Sequence, residues 1–176
     1  MPAPGTPDRP ARRAVDRARD RAADRPAEAA DDGSAGHVPV PPARIRQGDR
    51  DKAYRPLDRE TRRAAFEAGL AAYARGDFFA AHEALEPAWM GTADLAERAL
   101  HQGLIKVAAA YVHAVRGNPA GVAKNLAGAR RHLALATDAG VAWGIDAAGL
   151  LADVDARLAD PDLATEPPTI RRTAPA

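Results

Sequence analysis

The sequence predicts an all-α protein, an up-and-down antiparallel bundle of about five helices with the third central, preceded by a disordered N-terminal tail. Three observations carry this. Apolar side chains recur at helical spacing in five segments, and none alternates with the period of two that a strand needs. Alanine, the strongest helix former, is abundant. The connections are short, which favours antiparallel neighbours.

Residues 1–56 read as a disordered charged tail, rich in Arg, Asp, Ala and Pro and poor in large apolar side chains. Its run ARRAVDRARDRAADR places opposite charges at helical spacing but has no apolar stripe to dock. The interleaved aspartates make it a solvated segment rather than an RNA-binding arm. The bundle domain spans 57–160. The first helix runs from Arg59 to about Arg75, capped by Asp58, with Phe66, Leu70 and Tyr73 as its stripe and Gly76 as its stop. The second is FFAAHEALEPAWM, Phe78 to about Met90, where Pro87 predicts a kink or an early end. The third begins after Thr92 and runs to Arg116, stopped by Gly117. The fourth starts with Asn118 as cap and Pro119 in the first helical position, and carries Val122, Leu126 and Leu133. The fifth follows Asp146, carries Leu150, Leu151, Val154 and Leu158, and ends before Pro161. Residues 161–176 read as a second disordered tail.

Composition excludes several function classes. The formal net charge is +1, so bulk electrostatics give no strong nucleic-acid signal and no reason to expect a membrane surface. Without cysteine there is no disulfide, no thiolate metal site and no cysteine nucleophile. No signal peptide and no run near the ~20 apolar residues of a membrane span is present, so a cytoplasmic location is expected. The partner is unknown, and the reading leaves room for a homo-oligomer.

Chemistry gathers on an unexpected stripe. In the second helix His82 and Glu86 are four apart and fall among Phe78, Phe79, Leu85 and Trp89 on the apolar side, with Glu83 at its margin. The third helix is apolar nearly all round, yet Gln102, Lys106 and His113 share one line of its wheel with Ala109, and Gly103 would admit a close neighbour. Two readings follow. In one, His82, Glu86 and His113 hold a divalent metal (zinc, manganese or iron), Glu83 is a general base and Gln102 orients a ligand. In the other, the same side chains form an internal hydrogen-bond and ion network with Lys106 in a non-enzymatic structural or protein-interaction module.

Other candidates read as structural. His101 lies off the stripe and is expected to be packed or partly exposed. Trp89 and Trp143 are expected to anchor the core. His132 belongs to GARRH, 128–132, a basic cluster read as solvated helix face rather than phosphate site.

FFAAHEALEPAW followed by HQGLIKVAAAYVHAVRGN resembles the bacterial and archaeal family known as domain of unknown function 309, over roughly residues 60–135. His82, Glu83, Glu86, Trp89, Gln102, Gly103, His113, Gly117 and Asn118 carry the family pattern. The resemblance implies a small all-helical bundle, sometimes labelled a predicted metal-dependent hydrolase. Two positions depart: Ala80 stands where the family usually has Glu, and Lys106 where it has Gln. One lost carboxylate and one gained cation both weaken a metal site.

Overall fold

Each of five helices opens on an acidic or amide cap, and that local chemistry sets the chain's punctuation. The structure is a computed structural model that describes residues 44–47 and 50–173, all within the compact unit Pro39–Ala176. Of the tail expected over 1–56, residues 1–43, 48 and 49 lie outside the described residues, as do the terminal residues 174–176. The helices are α1 (Arg59–Ala74), α2 (Phe78–Gly91), α3 (Leu95–Val115), α4 (Pro119–Asp138) and α5 (Ala147–Ala159). Asp58, Asp77, Asp94, Asn118 and Asp146 each accept a first-turn backbone N–H through the side chain. Gly76 and Gly117 follow α1 and α3 with φ of 78° and 65°, left-handed values that suit glycine.

Consecutive helices pack on one another, α1 on α2, α2 on α3, α3 on α4 and α4 on α5. α3 is the central helix and supplies Leu100, Leu104, Ile105, Val107 and Tyr111 to the core. Phe66 and Leu70 from α1, Leu85 and Trp89 from α2, Leu126 and Leu133 from α4, and Leu150 and Val154 from α5 complete it. Gly103 is the close-approach point between α3 and α4: a Cβ there would stand 2.8 Å from the Leu133 side chain.

Three features depart from the sequence expectation. α2 does not end early at Pro87 but continues through Trp89 to Gly91. Pro87 and Glu83 are both exposed, so the Glu83 carbonyl left without its helical donor lies on the solvent face, while fully buried Trp89 pins the last turn. Within the stretch read as tail, β1 (Arg44–Gln47) and β2 (Arg50–Ala53) pair antiparallel in the register Arg44↔Ala53 to Gln47↔Arg50. The hairpin signal is Gly48-Asp49 between two short runs, and the charged composition masks it. The chain then joins the bundle through Arg55 N–H to Met90 O at 3.2 Å and Leu57 N–H to Gly91 O at 3.0 Å.

The third departure is the segment after α5. Residues 161–173, read as tail, form a strap containing a short 3-10 turn, η1 (Leu163–Thr165), with Pro168 buried and Ile170 packed on the core. The Tyr73 hydroxyl donates to Pro168 O at 3.0 Å and the Tyr111 hydroxyl to Glu166 O at 2.8 Å. Asp146 N–H donates to Arg171 O at 2.9 Å, Thr173 N–H to Gly144 O at 3.1 Å, and Arg172 pairs with Glu67. No helix among the described residues is long and apolar enough to cross a membrane.

Candidate functional site

α2 and α3 bring the two stripe histidines to one place. His82 and His113, both half-buried, line a single open cavity of about 140 Å³ together with Phe79, Ala109, Val112 and Arg116. Helical spacing explains the pairing: Ala109 and His113 are one turn apart on α3, and Phe79 and His82 nearly one turn apart on α2.

The partners of the rings fix their protons. His82 Nδ1 stands 3.1 Å from Glu83 Oε1, and a carboxylate only accepts, so Nδ1 carries a proton and Nε2 keeps a lone pair when the ring is neutral. Asn118 Oδ1 accepts from Gly121 N–H at 2.9 Å, which leaves its Nδ2 as donor to His113 Nδ1 at 3.1 Å. His113 Nδ1 is therefore the acceptor and Nε2 bears the proton. One ring offers a lone pair and the other an N–H. α4 holds His113 in place from the far side, since a Cβ at Gly121 would meet its ring at 2.5 Å.

The remaining stripe residues are dispersed. Glu83 is exposed, and Glu86 and Gln102 are half-buried and do not line the histidine cavity. Lys106 is half-buried at the α3–α4 contact, its stem 3.3 Å from the position a Gly128 Cβ would take. Burial pushes its pKa down, and Lys124 and Arg131 push it further. Among the described residues Lys106 makes no ion pair with a carboxylate, so the network in which it pairs with Glu83 or Glu86 does not form there.

As a metal set the three expected ligands fit in part. His82 fits: Glu83 orients it and leaves Nε2 free, the arrangement that supports a metal-bound imidazole. His113 does not fit as it stands, because the Asn118 amide occupies Nδ1 and sets the proton on Nε2. Among the described residues no three His, Cys, Asp or Glu side chains gather as a cage.

A second cluster was missed by sequence reasoning. His101 is fully buried, edge-on to Phe66 and Trp143 with ring centroids 5.6 Å and 4.7 Å away. Its Nε2 faces Glu97 Oε1 at 3.5 Å, too long for a good hydrogen bond, and Arg62 Nε donates to the same oxygen at 2.6 Å. Arg62 also donates to Leu57 O. Burial alone would raise the Glu97 pKa, but the His101 ring and the Arg62 guanidinium outweigh it and hold the carboxyl below its ordinary value. Above the cluster the loop after α4 puts Trp143 at φ 50°, a left-handed value strained for a bulky side chain; Arg63 donates to its carbonyl at 2.8 Å. Glu97 and His101 at i and i+4 on an apolar helix were the available signal. Arg62, on another helix, gave none.

Comparison with curated proteins returns no match. The motif residues of α2, α3 and the start of α4 all fall within 66–125, and that stretch matches the family model described as Domain of unknown function (DUF309).

Proposed function

We propose that this domain is hydrolase-like and that its chemistry runs at the His82–His113 cavity. The observation that carries the reading is that two histidines lining one open cavity have opposite partners at Nδ1, a carboxylate at His82 and an amide donor at His113. His82 Nε2 would take a proton from water as the water oxygen attacks the scissile centre. His113 Nε2–H would donate a hydrogen bond to the oxygen on which negative charge develops, and the proton taken up by His82 would then pass to the departing oxygen or nitrogen. We assign Glu83 the part of orienting His82 rather than of acting as base. Gln102 lies outside the cavity lining and would act on a larger substrate or not at all.

The carboxylate-bound His82 favours a second reading, in which His82 and Glu86 would hold a zinc, manganese or iron ion, whose chemistry would be the activation of water. His113 would join only by giving up Asn118. One experiment separates the two. Metal content and hydrolysis of phosphate, carboxyl-ester and amide panels are measured for the whole chain, His82→Gln and His113→Gln, with and without EDTA. Activity that survives EDTA and falls at least 100-fold in both variants supports the histidine pair, with His82 as base and His113 as hydrogen-bond donor. Stoichiometric metal lost in His82→Gln, with activity abolished by EDTA, supports the metal reading. Neither metal nor activity would sink both.

A further inference from the structure

Beside the histidine cavity, on the other side of His113, lies a larger hollow of about 410 Å³ between α3 and the first turns of α4. Lys106, His113, Asn118, Gly121, Lys124 and Asn125 line it. Among the described residues every ionisable group in that lining is a base, and none is a carboxylate. The positive charge continues past the rim. Lys106 feels Lys124 and Arg131, and His132 feels both Arg131 and Lys106. Half-buried His132 is held below its usual pKa, by burial first and then by those two cations.

We propose that this hollow is a binding site for a small phosphate-bearing ligand, with Lys106 and Lys124 as its charge partners and Asn125 as a polar donor. Several cations gathered without an acid raise one another's energy, and Lys106 additionally loses solvation at the α3–α4 contact. A group of this kind is relieved by an anion from outside the chain. A phosphate matches it better than a carboxylate does. It carries up to two charges and offers several acceptor oxygens to ammonium and amide donors converging from two helices. The hollow is larger than an inorganic phosphate needs, so it has space for the organic part of a phosphomonoester. The anion site stands on charge and shape alone. Only its use as a substrate anchor rests on the histidine reading, with the phosphate held on one side of His113 and the bond to be cut on the other.

The test titrates the metal-free whole chain in EDTA with inorganic phosphate, and then with glycerol phosphate. Binding is read by calorimetry and by amide chemical shifts. Saturable binding that weakens at least 10-fold in both Lys106→Gln and Lys124→Gln, with the shifts centred on residues 106, 113 and 121–125, is the expected result. Lys124 is exposed, so Lys124→Gln folds even if Lys106→Gln does not. Phosphate should also raise the melting temperature of the parent chain and not that of either variant. Unsaturable binding, binding unchanged in Lys124→Gln, or tight binding of a single-stranded oligonucleotide with none of phosphate would overturn the proposal. Loss of hydrolysis with phosphate binding intact would count against the histidine reading alone.

Discussion

Glu97 keeps its charge in a nearly closed space because Arg62 and His101 close on it from two sides. Its folded pKa lies below the usual carboxylate range, so its contribution is in place above the unfolded value of about 4.3 and disappears as pH falls through the lower folded value. The stability gap between the parent chain and Glu97→Gln should therefore be full at pH 6, begin to shrink as pH falls past the unfolded value of about 4.3, and close only below the lower folded value. Urea midpoints across that range check it, and a gap independent of pH would mean that shape rather than charge is what Glu97 supplies. Arg62→Met should be harsher, at about 3–5 kcal/mol, since it strands a buried carboxylate. The sequence made His101 legible as a packed histidine and no more. Its partners come from Arg62 and the Trp143 loop, at separations that no local pattern encodes. The histidine pair was legible for a simpler reason: helical spacing puts His82 and His113 each on a definable face. The tautomers were not, because Asn118 reads as a cap and nothing in the sequence says that its second amide atom reaches His113.

At the scale of elements, helix ends were the most readable feature, since caps and left-handed glycines are local chemistry. Asp58, Asn118 and Asp146 start their helices where the sequence placed them, and Gly76 and Gly117 end theirs. Pro87 shows the limit. Propensity argued for a kink or a break, and burial of Trp89 one turn from the helix end carried α2 through. Gly103 was legible as a close-approach residue, but only the packing names the neighbour as α4. A methyl there would come within 2.8 Å of the Leu133 side chain and 3.3 Å of its backbone N, and backbone yields less readily than a side-chain tip. Gly103→Ala should consequently destabilise by about 1–3 kcal/mol despite its better helix propensity. Denaturant unfolding of the single variant measures this. A stabilised Gly103→Ala would show that α3 and α4 have room to separate.

On the scale of the whole molecule, the strap is what composition concealed. Residues 161–173 have too few apolar side chains to suggest a docked segment, and much of their docking is through backbone carbonyls, which every sequence possesses. The specific half of the contact lies elsewhere, in two tyrosines that resemble ordinary core residues of α1 and α3. Tyr73 is buried enough that its hydroxyl is pushed well above its usual pKa, and it donates to Pro168 O. Tyr111 donates to Glu166 O, which also receives Arg157 Nε at 2.6 Å. Removing residues 161–176 would uncover both hydroxyls and the apolar surface beneath Pro168 and Ile170. Each hydrogen bond is worth ~1 kcal/mol and each apolar side chain ~1.5–3 kcal/mol when fully buried. Partial burial of Ile170 lowers that sum, so the truncated chain should lose about 3–5 kcal/mol. The double variant Tyr73→Phe/Tyr111→Phe keeps the rings and removes only the hydroxyls, and should lose about 2 kcal/mol. Truncating that variant should then cost less than truncating the parent, because the two changes remove the same bonds. Full additivity in this cycle would show that the strap lies against the bundle without being tied to it.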